Sequence, residues 1–100
     1  MDVKLIDRGS EGELILSGRL DTRVAPEAEE VFLKMADRYT DLTLNMKDLK
    51  YISSAGLRVL KGLYMKVRKN GGELSALNVN EYIEEVFEIT GFAGFINIRK

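Results

Sequence analysis

The stretch of sequence that decides the fold is residues 42–57, LTLNMKDLKYISSAGL. Apolar and polar residues alternate over residues 42–46, which is the two-residue period of a β-strand. The second half brings two serines, Ser53 and Ser54, before apolar residues that recur at helical spacing. These apolar residues are Leu57, Leu60, Leu63 or Tyr64, and Val67. The stretch therefore predicts a strand that leads directly into a helix, and a pair of glycines ends that helix.

The segment upstream of this unit predicts a hairpin and a helix. Residues 3–7 and 13–17 are short apolar runs, and two glycines between them suit a turn between antiparallel strands. The only proline, Pro26, begins a run of helix formers that extends to Arg38. Proline is tolerated in a first helical turn because its missing N–H would be unpaired there. The apolar stripe expected on this helix consists of Val31, Leu33 or Phe32, and Met35.

The segment downstream continues the alternation of strands and helices. Residues 73–79 are typical of a strand, Asn80 of the cap of a helix over residues 81–90, and residues 95–98 of a last strand. The core-facing residues expected on this helix, before Gly91 ends it, are Ile83, Val86 or Phe87, and Thr90. The order β-β-α-β-α-β-α-β requires crossover connections, which place parallel strands after the hairpin. We therefore expect an α/β fold with a mixed, mostly parallel sheet of about five strands and three or more helices packed on it.

Composition limits the classes of function. A chain of 100 residues has room for a single core, so residues 1–100 are expected to form one domain. A net charge of -1 provides no electrostatic excess for a nucleic acid or an anionic membrane. The chain has no cysteine and no histidine, which excludes Ser-His-Asp and Cys-His nucleophiles and the usual zinc sites. With no signal-like or membrane-spanning apolar run either, we expect a cytoplasmic protein without a cofactor.

The two serines lie where a strand exit becomes a helix N-terminus. Such a place has free backbone N–H groups that attract anions, so a phosphate carried on the first helical turn would be within their reach. A simpler interpretation is that Ser53 or Ser54 is the N-cap, and the two roles are compatible because one serine can cap while its neighbour is modified. Gly56 in the first turn costs about 1 kcal/mol relative to alanine, which indicates close approach to a neighbouring strand.

Five short motifs, in the same order and spacing, resemble those of the anti-sigma-factor antagonists, a family within the STAS domains. Together they span the chain. They are Gly18-Arg19-Leu20-Asp21 after the second strand, Leu44-Asn45-Met46-Lys47-Asp48-Leu49 in the third, Ser53-Ser54-Ala55-Gly56-Leu57 at the second helix, Gly71-Gly72 after it, and Gly91-Phe92 after the third helix. The resemblance implies a STAS-like fold and a protein that is not an enzyme.

The resemblance also implies a phosphorylation switch. The family's phosphoacceptor serine falls on Ser54, whereas Ser53 replaces the family's aspartate and Ala55 replaces its second hydroxyl residue. In the family, the unmodified domain binds an anti-sigma factor that is also an ATP-dependent serine kinase, and thereby frees a sigma factor. Phosphorylation reverses this binding, and a PP2C-type phosphatase is a further expected partner.

The expected docking surface combines the start of the second helix, its exposed face and the loop at residues 18–22. A parallel sheet would bring these segments to the same edge. The residues expected to contact the partner are Asp21, Thr22, Ser53, Ala55, Gly56, Leu57, Arg58 and Lys61. The structural alternative for Asp21 is that it caps a turn.

Other functions remain open at this point. The domain could be a STAS scaffold or docking module that is never phosphorylated, an interpretation that the serine at position 53 keeps open. It could also be an enzyme that uses Asp21 and Asp48 as paired carboxylates, although no metal cluster or phosphate-cradling glycine loop accompanies them. A nucleotide-binding role has no motif to support it.

Overall fold

Strands and helices follow one another in the predicted order. The structure is a computed structural model that describes residues 1–99. Its elements are β1 Asp2–Arg8, β2 Glu11–Leu20, α1 Ala25–Arg38, β3 Asp41–Ile52, α2 Ser54–Lys69, β4 Leu74–Leu77, α3 Glu81–Thr90, a short 3-10 turn Phe92–Gly94, and β5 Asn97–Arg99. None of the helices within residues 1–99 is both long enough and apolar enough to cross a membrane.

The sheet has five strands in the order β1-β2-β3-β4-β5. β1 pairs antiparallel with β2, and each later pair is parallel. The predicted hairpin and mostly parallel sheet are therefore confirmed. Since all the crossovers advance in one direction and such crossovers are right-handed, all the helices pack on the same face of the sheet.

Burial along β3 identifies the two faces. Leu42, Leu44 and Met46 are fully or almost fully buried beneath the helices. On the opposite face, the Thr43 side chain accepts a hydrogen bond from Arg99 Nη2 at 2.8 Å and donates one to Glu11 at 3.3 Å. That face lacks a helical layer, and polar side chains that hydrogen-bond across the strands cover it instead.

Helix α1 turns a different face to the core than its apolar stripe predicts. Its buried residues are Ala25, Ala28, Phe32 and Ala36. Phe32 is thus confirmed over Leu33, but the prediction for Val31 is wrong, since this residue is 37% exposed, and Met35 is only partly buried. Small alanine side chains let the helix lie close to the sheet, and this close packing outweighs the larger apolar area of Val31. Pro26 lies in the first turn, as predicted.

The other two helices match their predicted faces more closely. The core of α2 includes Leu57, Leu60, Leu63 and Val67, as the spacing predicts. Ile83 and Phe87 are the buried residues of α3. Thr90 is exposed, contrary to prediction. Its hydroxyl donates a hydrogen bond to the carbonyl of Val86 at 2.7 Å, so its hydrogen-bonding partner lies in its own helix and not in the core.

Several strand boundaries differ from the predicted ones. β3 continues to Ile52, well beyond the alternating segment. Register shifts against β2 interrupt the alternation after Asn45 and again after Leu49, so the sequence pattern ends before the strand does. β2 likewise runs to Leu20. β4 ends at Leu77, and Asn78 then adopts a positive φ of 58°. β5 begins only at Asn97, because the 3-10 turn takes up the preceding segment.

Candidate functional site

Ser53 joins the start of α2 to the end of β2. Its Oγ accepts a hydrogen bond from the backbone N–H of Gly56 at 3.0 Å, which makes it the N-cap. Its own backbone N–H donates to the carbonyl of Leu20 at 2.9 Å. The predicted capping role is therefore confirmed, and the helix begins at a fixed distance from the last residue of β2.

Gly56 is needed because α2 begins so close to β2. A Cβ atom at this position would lie 2.5 Å from the carbonyl oxygen of Leu20 and 2.8 Å from its Cγ. It would also lie 3.2 Å from Cγ1 of Ile52. The close approach to a strand that the sequence indicates is confirmed, and the obstacle is a backbone atom that no side-chain rotation can move.

Ser54 is the first residue of α2 and is exposed. Its hydroxyl makes no hydrogen bond to any other group within residues 1–99, because Ser53 already caps the helix. The first turn of α2 contains no acidic residue, so its own side chains do not offset the partial positive charge of the helix N-terminus. The site thus presents a free hydroxyl beside an uncompensated positive helix end.

The side chain of Asp21 caps the turn that leads into α1. Its Oδ1 accepts hydrogen bonds from the backbone N–H groups of Arg23 at 3.1 Å and Val24 at 3.2 Å. Its Oδ2 lies 4.0 Å from Nε of Arg19. The alternative interpretation of Asp21 as a turn cap is therefore confirmed, and this carboxylate has only limited freedom to contact a partner.

Asp21 and Asp48 do not form a carboxylate pair. Asp21 follows Leu20, whose register partner is Ile52, whereas Asp48 pairs with Ser17. Asp48 lies four positions before Ile52 in β3, which corresponds to roughly 13 Å along the strand. Within residues 1–99 no group of Asp and Glu side chains could hold a metal ion either.

Three of the predicted docking residues lie together. Thr22, Ala55 and Arg58 line a shallow depression between the start of α1 and the start of α2, together with Ala25, Pro26, Glu29 and Val59. Lys61 is exposed three residues after Arg58 and so lies on the same side of α2. The fold therefore brings the β2–α1 loop to the start of α2, as the parallel sheet leads one to expect.

Two other predicted contact residues are buried. Gly56 is in the core-facing part of the first turn, and Leu57 is only 5% exposed. Both residues fix the position of α2, so burial does not support a direct contact with a partner. Spacing could have indicated this for Leu57, which begins the apolar stripe of the helix.

A stack of three side chains beside the site was not anticipated from the sequence. The guanidinium carbon of Arg19 lies 4.2 Å from the ring centroid of Tyr51. Tyr51 in turn stacks on Tyr82, with 6.4 Å between centroids and 16° between planes, and the Tyr82 hydroxyl donates to the carbonyl of Ile52 at 3.3 Å. Arginine and tyrosine, together with tryptophan, are enriched among the residues that contribute most to binding at protein interfaces.

The charges of α2 add a positive potential to this surface. The helix carries five basic residues and no acidic one: Arg58, Lys61, Lys66, Arg68 and Lys69. Lys66 pairs with Asp37 at 3.2 Å, and Arg68 donates to the carbonyl of Gly72 at 3.4 Å. Arg58 and Lys61, the two nearest to Ser54, make no ion pair within residues 1–99.

Comparison with known proteins identifies the family. The model of the STAS domain matches residues 6–100. The anti-sigma-B factor antagonist of Bacillus subtilis is 35% identical over 83 residues, which cover 83% of this chain and 76% of that protein. The corresponding antagonist of Staphylococcus aureus strain NCTC 8325 is 33% identical over 89 residues, which cover 88% of this chain and 82% of that protein.

Solved structures show the same fold at low sequence identity. An anti-sigma factor antagonist from Mycobacterium paratuberculosis superposes with a TM-score of 0.85 and 20% identity, covering 97% of this chain and 83% of that one. The range that the family model matches includes the motifs at residues 18–21, 44–49 and 53–57. The chain belongs to the STAS domain family.

Proposed function

We propose that this chain is an anti-sigma factor antagonist, a protein-binding switch without enzymatic activity. In its unmodified form it binds an anti-sigma factor, and this binding releases a sigma factor. The curated relatives at 35% and 33% identity carry this name. The observation that carries the proposal is the exposed hydroxyl of Ser54, which is free of hydrogen bonds within residues 1–99 and lies within the first two turns of a helix whose Arg58 and Lys61 make no ion pair in that part of the chain.

The docking area, which we call the switch surface, consists of exposed and half-buried side chains around the start of α2. Its members are Thr22, Ser54, Ala55, Arg58 and Lys61, together with Arg19, Tyr51 and Tyr82. Behind them, Asp21, Ser53, Gly56 and Leu57 hold the β2–α1 loop and α2 in place through the contacts described above. The positive charge of this surface favours a partner with an acidic contact region.

Phosphorylation of Ser54 would turn the switch off. A phosphoryl group adds about -1.5 to -2 charges at neutral pH. Arg58 lies four residues further along the same helix, within reach of such a group. The phosphate would therefore offset the positive charge of Arg58 and Lys61 and remove their attraction for an acidic partner, without unfolding the domain, because Ser53 continues to cap the helix.

The partners follow from this mechanism. The proposed partner is an anti-sigma factor with serine kinase activity, and a PP2C-type phosphatase would restore the unmodified form. The structure of a Bacillus relative, SpoIIAA, in its phosphorylated form supports the proposal, because that protein shares the fold at a TM-score of 0.78. A partner that controls a sigma factor places the protein in the cytoplasm, and we propose that residues 1–100 act there as one domain.

The phosphoacceptor can be identified by mass. The chain is used to isolate its anti-sigma partner from cell extract, and the purified partner is then incubated with ATP and each variant. We expect one phosphate on the wild type and on Ser53→Ala, and none on Ser54→Ala, measured as intact mass. A phosphate that persists on Ser54→Ala and disappears from Ser53→Ala would move the switch to residue 53. Binding without any phosphorylation would support an unmodified docking module instead.

Ser53→Ala removes the hydrogen bond that the Gly56 N–H donates to the capping hydroxyl, but neither Ser53→Ala nor Ser54→Ala adds an atom to the close approach of Gly56 to Leu20. Thermal melts of both variants would test whether each is folded under the assay conditions.

A further inference from the structure

β1 lies at the edge of the sheet and is free on its outer side. Its seven residues pair with β2 along their whole length, from Asp2 opposite Ser17 to Arg8 opposite Glu11. No other strand within residues 1–99 pairs with it. The outward N–H and C=O groups of such a strand are a template for another strand.

An apolar groove follows the inner side of this strand. Met1, Val3 and Leu5 form one wall, and Val24, Val31 and Met35 of the α1 region form the other. Val3 and Leu5 are only partly buried, although they lie on the helix-covered face of the sheet. The helical layer thus ends before the sheet does, and the unpaired edge adjoins an incompletely covered apolar surface.

We infer that β1 pairs with β1 of a second copy of this chain, antiparallel and about a two-fold axis, so that one sheet continues through both copies. In the register that pairs the whole strand, Leu5 lies opposite Leu5 of the second copy. Asp2 then lies opposite Arg8 of the second copy, and the two-fold axis repeats this pair at the other end. Asp2 and Arg8 are both exposed.

Charge selects this register over its neighbours. Residues directly opposite each other in an antiparallel pair lie on the same face of the sheet. One strand can therefore slide along the other only by an even number of residues. One such shift places Lys4 opposite Lys4 of the second copy, and the opposite shift places Lys4 opposite Arg8. Like charges directly opposite each other are destabilising, whereas opposite charges contribute favourably. Among these three registers, only the full-length one pairs all seven residues of β1, and it places Asp2 opposite Arg8 at both ends of the paired strands.

A second copy fits this edge better than an unrelated strand, because the charges of β1 are complementary to themselves under two-fold symmetry. Arg8 already lies 3.1 Å from Glu13, and its side chain is 54% exposed, so it remains accessible from the outer side. β1 is two strand positions away from β3, which leads into α2. Each copy of the pair would therefore keep its own Ser54 exposed.

Charge reversal tests the pairing directly. Asp2→Arg and Arg8→Asp each place like charges opposite each other, and we expect each variant to dissociate at least tenfold more readily than the wild type. A mixture of the two variants restores both Asp–Arg pairs and should form a heterodimer of wild-type stability. Glu88→Arg on α3 is the matched control, because it reverses a charge far from β1 and should leave the dimer unchanged. Sedimentation velocity over a concentration series, with any tag at the C-terminus, compares the wild type, the three variants and the mixture.

Three outcomes would overturn the pairing: a wild type that is monomeric throughout, a dimer that neither reversal weakens, or variants that do not associate when mixed. Hydrogen exchange of the unaltered chain gives a second measurement in case a variant folds poorly. Amides of β1 that point away from β2 should become protected as concentration rises. Protection that is independent of concentration would also contradict the pairing.

Discussion

Helices α2 and α3 begin in the same way but differ in the charges of their first turns. Each begins at a residue whose side-chain oxygen accepts the backbone N–H three residues later: Ser53 from Gly56 at 3.0 Å and Asn80 from Ile83 at 2.8 Å. The first turn of α3 contains Glu81 and Glu84, whereas that of α2 has no acidic residue. α3 therefore offsets its own dipole, and α2 does not.

This difference separates a structural helix start from one suited to regulation. Carboxylates in the first turn stabilise α3 permanently, and an additional negative charge there would meet like charges. The first turn of α2 instead leaves its positive end free, with an exposed hydroxyl at Ser54. A reversible phosphate can then supply the negative charge that the sequence of α2 omits.

The largest expected effect concerns the third residue of each helix, which is Gly56 in α2 and the buried Ile83 in α3. Gly56→Val places side-chain atoms against the backbone of Leu20, where even a Cβ would lie 2.5 Å from the carbonyl oxygen. We expect a loss of about 3 kcal/mol or more in the free energy of unfolding. The melting temperature should fall by at least about 12 °C, measured by circular dichroism.

Gly62→Val provides the matched control for this substitution in the same helix. A Cβ at Gly62 would have no atom within 4 Å beyond its chain neighbours and the nearby backbone of its own helix, so the change should be tolerated. Equal melting temperatures for the two valine variants would show that α2 can move away from β2, and would remove the close contact as the reason for glycine at position 56.

The two N-caps should differ in strength. Ser53→Ala should cost about 0.5–2 kcal/mol, the usual range for loss of a capping hydroxyl. Asn80→Ala should cost more, because the Asn80 side chain also donates to the carbonyl of Leu49 at 3.3 Å. Ser54→Ala serves as the control and should change stability by less than about 0.5 kcal/mol. Urea titration of all three variants gives the comparison. If Ser54→Ala were as unstable as Ser53→Ala, the assignment of Ser53 as the N-cap would be wrong.

The smallest expected effect is the change in stability when one negative charge is added to the first turn of α2 or removed from the first turn of α3. Ser54→Asp adds a negative charge to the uncompensated first turn of α2 and should stabilise the fold by about 0.3–1 kcal/mol at low salt. Glu81→Gln removes one from α3 and should destabilise it by a similar amount. Both effects should shrink between about 0.01 M and about 1 M salt, where the screening length falls from roughly 30 Å to 3 Å. Changes of the same sign would show that the helix dipole does not distinguish the two starts.

Ser54→Asp also separates stability from function, since it should weaken binding to the anti-sigma partner about tenfold while it stabilises the domain. A tenfold change corresponds to about 1.4 kcal/mol. Ser10→Asp is the matched control, because Ser10 is exposed in the hairpin turn at the other end of the sheet. Titration calorimetry that gives one affinity for wild type, Ser54→Asp and Ser10→Asp would place the docking area elsewhere.

Features that depend on local spacing were accessible from the sequence. The alternation at residues 42–46, the serine cap and the glycine in the first turn of α2 each follow from contacts within a few residues or from the direct sequence of strand and helix. The mostly parallel pairing of the strands after the hairpin followed from the crossover connections, whereas the order of strands in the sheet was not predicted. The identity of Ser54 as the phosphoacceptor came from the family resemblance and remains a prediction.

Features that depend on contacts between distant segments were not accessible. Both sides of α1 carry apolar residues, and only the fit against the sheet selects Phe32 over Val31. The stack of Arg19, Tyr51 and Tyr82 joins two strands and α3, so no spacing in the sequence indicates it. The irregular pairing of β2 with β3 removes the alternation that would have revealed the true end of β3.

The order of strands in the sheet, which is also their order in the chain, has a consequence for biosynthesis. Each strand pairs with the one synthesised just before it, so no strand must wait for a distant later segment before it finds its neighbour. A chain that emerges from the ribosome can therefore add one strand at a time to a growing edge. We expect assembly to proceed from β1 towards β5, with the short β5 joining the edge of the sheet last.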